Sequence, residues 1–134
     1  MIFVDTSFWV AVSMRADGRH DEAVALLDST ARRPLVTSSH VLGETWTFVR
    51  SRESHAGAVA LMRKIRAAAR LSVVFVDEEF EESAWEWLER RDERRYSFVD
   101  ATSFAVMRRL RLDEALAFDG DFAAAGFTEL RLPG

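Results

Sequence analysis

Short apolar runs alternate along this chain with longer segments whose apolar positions recur every three or four residues. Ile2-Phe3-Val4, Leu35-Val36-Thr37, Ser72-Val73-Val74-Phe75-Val76 and Ala115-Leu116-Ala117-Phe118 read as strands, with Thr128-Glu129-Leu130-Arg131 a weaker fifth. None alternates cleanly with period two, as expected of strands covered on both faces. Asp21 to Ala31 places Ala23, Leu26 and Leu27 on one helical face, and Glu79 to Arg91 does the same with Phe80, Ala84, Trp87 and Leu88. Ser7–Met14, Ser39–Arg50, Ala56–Ala69 and Ala101–Leu110 are the other predicted helices, the last following an Asp100 suited to N-capping. Strand and helix in alternation predict a three-layer α/β/α sandwich around a mostly parallel sheet of four or five strands.

Composition narrows the class. The 134 residues, 49% hydrophobic and 30% charged, carry no repeat or Pro/Gly-rich linker, so one domain over 1–134 is expected. No apolar run approaches the roughly 18 residues needed to cross a bilayer. The opening Met1-Ile2-Phe3-Val4-Asp5 meets an acid without a basic leader, so a cytoplasmic protein rather than a secreted one is expected. The absence of cysteine excludes disulfides, thiolate zinc sites and cysteine nucleophiles. A net charge of −4 argues against nonspecific nucleic-acid binding. The positive charge is nearly all arginine, however, with Lys64 the only lysine, and arginine holds phosphate through paired hydrogen bonds.

The acids carry the candidate chemistry. Asp5 follows the first predicted strand and Asp119 the fourth, and ligands of an open parallel sheet bind beyond the carboxyl ends of its strands. Asp77 also follows a strand, but it runs into Glu78 and Glu79 at a helix start, where capping is its expected role. Glu44 shares a helical stripe with Val41 and Phe48; a carboxylate there costs desolvation unless compensated, so it flags a site, or else it reaches water from the stripe's edge. Asp100 opens a segment without charge until Arg108; a cap at such a buried helix is compatible with a second role as ligand. Carboxylates that converge need a counter-charge, and Mg²⁺ or Mn²⁺ suits oxygen donors. His20, His40 and His55 are scattered and read as surface or capping residues, which leaves no zinc alternative.

Taken together, Val4-Asp5-Thr6-Ser7, Glu44 on an early helix, Ser97-Phe98-Val99-Asp100-Ala101 and Ala117-Phe118-Asp119-Gly120-Asp121-Phe122 resemble the PIN-domain ribonucleases. Within these the chain is most similar to the VapC toxins of toxin–antitoxin pairs, over essentially its whole length. The resemblance implies an endoribonuclease in which a carboxylate-held Mg²⁺ or Mn²⁺ ion activates water, leaving 3′-hydroxyl and 5′-phosphate ends. Asp5, Glu44, Asp100 and Asp119 map onto the family's catalytic and metal-binding quartet, with Glu44 orienting the water. Thr6 and Asp121 match supporting positions, the first a small hydroxyl beside the leading aspartate. The resemblance further implies an RNA substrate, a cognate VapB-like antitoxin and a homodimer.

Other surfaces follow from residue type. Arg90, Arg91, Arg94 and Arg95, interleaved with Asp92 and Glu93, precede Tyr96; they are candidates to position RNA phosphates, with Tyr96 stacking on a base, against the plainer reading of a solvated helix end. Arg15, Arg50 and Arg52 are further candidates, whereas the acidic run from Glu78 to Glu82 is a solvated helix start. Phe8, Trp9, Trp46, Phe48 and Val49 concentrate apolar surface that belongs either to the core or to a partner. Two competing functions remain at this point. An aspartate-based phosphatase or receiver also places Asp after strand one, but the position two residues on is Ser7, and Lys64 is mid-chain rather than late. A non-catalytic PIN-like binding domain would keep the fold without cleaving RNA.

Overall fold

The computed structural model describes residues 1–133, in the order β1 (Ile2–Val4), α1 (Thr6–Ser13), α2 (His20–Ser29), β2 (Leu35–Ser38), α3 (Ser39–Arg52), α4 (His55–Ala67), β3 (Leu71–Val74), α5 (Glu78–Glu89), α6 (Phe98–Leu110), β4 (Glu114–Leu116), α7 (Asp121–Ala124) and β5 (Thr128–Glu129). The strands pair in parallel in the order β3-β2-β1-β4-β5, with Ile2 opposite Leu35 and Phe3 opposite Ala115. The chain steps outward from β1 through β2 to β3, then crosses back to β4 and β5. Right-handed crossovers therefore put α1 to α4 over one face and α5 to α7 over the other. The winding direction reverses between β1 and β4. At such a switch point a parallel sheet opens a crevice beyond its strand ends.

β1 is buried at all three residues, which explains its unbroken apolar run. The Thr37 hydroxyl donates to the Val4 carbonyl at 2.8 Å and locks β2 beside it. Across the sheet, α6 is buried from Asp100 to Met107. Its hydroxyls need internal partners, and both Thr102 and Ser103 donate back to the Val99 carbonyl, at 2.8 and 2.9 Å. Phe104 lies at the centre of an aromatic cluster, with ring centroids 5.1 Å from Trp87, 5.8 Å from Tyr96, 4.9 Å from Phe122 and 5.5 Å from Phe127. These contacts fasten α5, α6 and α7 into one layer.

Several boundaries differ from the sequence expectation, each for a local reason. The third strand starts at Leu71 and stops at Val74, because Val74 pairs with Ser38, the last residue of β2, and nothing lies beyond to pair with. Phe75 is consequently 77% exposed. The fourth strand ends at Leu116, whose carbonyl accepts from the Asp5 N–H at 3.0 Å before the chain turns into α1. Asp119 thus sits on a loop three residues past the strand. Asp100 is not the N-cap of α6: Ser97 is, and Asp100 occupies the third helical position in a reciprocal capping box. The short α7 was not foreseen, since four residues carry no periodicity to read. Asp77 does cap α5, accepting from the Phe80 N–H at 3.1 Å. Of the five apolar residues weighed as core or partner surface, Phe8, Trp9 and Val49 are core, while Trp46 and Phe48 are half-buried.

Because Phe104 is fully buried among four rings, Phe104→Ala should lower the unfolding free energy by about 3–5 kcal/mol in urea denaturation. A loss well below 1 kcal/mol would show that the cluster does not hold the α5–α7 layer together.

Candidate active site

Asp5 leaves β1 as the N-cap of α1, its carboxylate accepting from the Ser7 N–H at 3.1 Å. The Ser7 hydroxyl donates to the same oxygen at 2.7 Å and accepts from the Phe118 N–H at 3.0 Å. One serine thereby fastens the end of β1 to the loop after β4. Asp119 on that loop accepts from the Asp121 N–H at 3.1 Å. Asp100 arrives from the other helical layer, accepting from the Ser97 N–H at 3.0 Å while the Ser97 hydroxyl accepts from the Asp100 N–H at 2.9 Å. Each aspartate is held by N–H donors on its own loop or helix start, so its direction is set before any ligand arrives.

Carboxylate oxygens of Asp5, Asp100 and Asp119 lie within 4.8 Å of one another. Asp5 and Asp100 are buried, and Asp119 opens the group to solvent. Burial, then the charge of Asp119, hold Asp5 well above the usual carboxylate range despite its two bonds from Ser7. Burial raises Asp100 to about 7, with the Ser97 N–H opposing and the charges of Asp121 and Asp119 adding. Asp119 is pushed to about 6, first by burial and then by Asp121 and Glu129, against the Asp121 N–H. Three hard oxygen donors that resist ionising together fit a divalent cation, which supplies the missing positive charge.

Glu44 is not a member of this group of three. Half-exposed on α3, it lines a cleft of about 380 Å³ with Asp5, Ser7, Asp119, Arg19, Phe48 and Phe118. The buried stripe of α3 is Val41, Thr45 and Val49; Glu44 and Phe48 flank it and line the cleft, with Phe48 also packed against the core. The hydroxyl at Asp5 belongs to Ser7 and not to Thr6, whose own hydroxyl points to the Val41 carbonyl at 3.4 Å. Asp121 is outside the three although its carboxylate lies close to that of Asp119, and it accepts from Arg94 Nε at 2.6 Å.

Among the arginines weighed for RNA, only Arg94 reaches the acidic loop. Arg91 lies over the Trp87 ring at 5.2 Å, and Arg90 and Arg95 are exposed and do not line the cleft. Tyr96 packs against Trp87 and Phe104 as part of the aromatic layer. Two residues at the cleft escaped the sequence reading. Ser7 was legible only as part of a motif, because its bridging role depends on a residue 111 positions away. Arg19 stacks over Phe118 at 5.2 Å on the cleft wall, which no local pattern announces. Lys64 lines a separate cavity with Arg15, His20 and Glu53, away from the carboxylates, as a receiver's lysine would not be.

The raised acids make a pH prediction. Each binds its proton more tightly in the folded chain than in the unfolded one, whose aspartates titrate near 4. Between about 4 and 7 the folded state holds the extra protons, so metal-free stability falls as pH rises through that window. In EDTA the protein should melt several degrees higher at pH 5.5 than at 7.5, and Asp5→Asn should raise the melting point at pH 7.5. With saturating divalent metal the trend should reverse, since protons compete with the ion. A melting point in EDTA that climbs steadily from pH 5.5 to 7.5 would contradict this.

Comparison with known proteins agrees with this geometry. The family model described as the PIN domain matches residues 2–128. The chain is 56% identical over 132 residues to the 23S rRNA-specific endonuclease VapC20 of Mycobacterium tuberculosis, in strain H37Rv and in strain CDC 1551, with 98% of each chain covered. It matches the crystal structure of Mycobacterium tuberculosis VapC20, described as a sarcin–ricin loop cleaving toxin, with a TM-score of 0.91 at 53% identity, over 98% of this chain and 99% of that one. A parallel sheet whose switch point gathers three aspartates, in a chain so close to these relatives, is a PIN domain, and the protein belongs to the PIN-domain family in its VapC branch.

Proposed function

We propose that this protein is a divalent-metal-dependent endoribonuclease toxin that hydrolyses a phosphodiester bond in the sarcin–ricin loop of 23S rRNA. The observation that carries the reading is the trio of carboxylates within 4.8 Å at the switch point of the sheet. The substrate follows from similarity to a relative named for that cleavage. Asp5, Asp100 and Asp119 would hold Mg²⁺ or Mn²⁺. When bound, such an ion makes water more acidic and offsets charge on the phosphoryl oxygens.

The chain's own groups do the rest. Ser7 keeps Asp5 and the Asp119 loop in register through its paired bonds. Glu44, facing the cleft from α3, orients the attacking water and accepts its proton. Arg19 on the cleft wall offers a guanidinium to the phosphate backbone, and its seat on Phe118 limits the rotamers it loses on binding. In-line attack on phosphorus leaves a 3′-hydroxyl and a 5′-phosphate. In the same reading a VapB-like antitoxin masks the cleft, and the toxin works as a homodimer in the cytoplasm.

The test is cleavage of a synthetic sarcin–ricin loop RNA. Wild-type protein should cut it with Mg²⁺ or Mn²⁺, stop with EDTA, and recover on adding excess metal. Asp5→Asn should fold and show no detectable cleavage, while Glu44→Gln should retain metal binding and lose roughly 10–100-fold in rate. Cleavage that persists in EDTA, or a folded Asp5→Asn protein working at the wild-type rate, would reject the assignment.

A further inference from the structure

Arg94 lies on the turn between α5 and α6, with its side chain laid across the loop that follows β4. Its Nε donates to the Asp121 carboxylate at 2.6 Å and one terminal nitrogen donates to the Asp119 carbonyl at 3.1 Å. The approach requires Gly120: at φ +82° it adopts a conformation that side chains avoid, and a Cβ there would stand 3.1 Å from the Arg94 terminal nitrogen. The loop does not need Arg94 to keep its shape. Glu129, on β5, accepts from the Gly120 and Ala123 N–H groups at 3.3 and 3.1 Å, and Asp119 accepts from the Asp121 N–H. What Arg94 adds is charge placed on one particular acid. The Asp121 carboxylate lies close to that of Asp119 and its charge is felt at Asp100, yet it is absent from the trio.

We infer that Arg94 serves the reaction through Asp121, holding that carboxylate out of the metal cluster and cancelling its charge at the mouth where RNA phosphates enter. Arg94 is then a positioning residue that does not touch the substrate. This deepens the metal-nuclease reading and rests on it. The Arg94 side chain is 41% exposed though that of Asp121 is only 18%, and Glu129 holds the loop independently of the pair, so losing the arginine should leave the fold intact. Losing the arginine should free Asp121 to join the cluster, and the site should hold a divalent cation more tightly. The same freed charge should repel RNA.

The experiment is a double-mutant cycle on the full chain, with Mn²⁺ alone titrated by calorimetry and KM measured on the sarcin–ricin loop RNA. Arg94→Ala should bind Mn²⁺ roughly threefold to tenfold more tightly, or bind a second ion, and should raise KM by a similar factor. Asp121→Asn should bind Mn²⁺ about as wild type does. Combining the two should return both quantities to near the wild-type values, because Arg94 has nothing left to act on. Arg32→Ala, at the opposite end of the sheet, controls for the loss of one positive charge.

Three results would overturn the inference. In the first, Arg94→Ala leaves Mn²⁺ affinity unchanged. In the second, Asp121→Asn alone loses Mn²⁺ tenfold, which would make Asp121 a ligand in the wild type. In the third, the raised KM survives in the double variant, which would make Arg94 a direct phosphate contact. Wild-type protein that binds no Mn²⁺ would instead remove the metal reading, and this inference with it.

Discussion

Three carboxylates gathered within 4.8 Å, two of them buried and one open to solvent, dominate this molecule. Asp5 and Asp119 meet because β1 and β4 are neighbours, although Val4 and its partner Leu116 are 112 positions apart in the chain. Asp100 joins them from the helical layer on the opposite face of the sheet. Burial raises the proton affinity of each acid first, and neighbouring carboxylate charges raise it further. A fold optimised for stability alone would not assemble this corner. A divalent cation held there would relieve the repulsion, which gives the strain and the proposed function one origin.

The surrounding structure aims these acids while leaving their charge unsatisfied. Ser7 and Ser97 supply hydroxyls and N–H groups that fix the direction of Asp5 and Asp100. Among the described residues no guanidinium is hydrogen-bonded to a carboxylate of the trio; that of Arg94 is bound to Asp121 and to the Asp119 main-chain carbonyl. A direct arginine partner would neutralise the carboxylates and compete with a metal. Neutral donors preorganise them and leave the negative potential in place. The aromatic layer around Phe104 contributes rigidity at a distance, holding α6 and α7, whose N-terminal turns lead into Asp100 and out of Asp119, against each other.

Legibility in the sequence varied with the range of the physics involved. Asp77 as a cap, the buried middle of α6 and the parallel sheet were readable because they depend on neighbours within a few residues or on plain alternation of elements. Four acids were nominated from strand ends and helix starts; the structure draws Asp5, Asp100 and Asp119 together and sets Glu44 on the wall of the same cleft. The assignment of the supporting hydroxyl to Thr6 failed because adjacent residues entering a helix point about 100° apart, and only the packing on α3 decides which faces inward. Tyr96, a plausible base-stacking residue by type, is absorbed by Trp87 and Phe104, which no spacing rule foretold.

The amino-acid order by itself therefore determined the class of fold and nominated the acids as candidates, since hydrophobic period and donor chemistry are local properties. Tertiary structure alone decided which oxygens share a site, that Ser7 ties Asp5 to the Phe118 backbone, and that Asp121 is paired with Arg94 instead of joining the trio. Those outcomes depend on distances of a few ångströms between segments far apart in the chain. Such distances are set by strand register and side-chain packing summed over the whole domain, and no short stretch of sequence contains that sum.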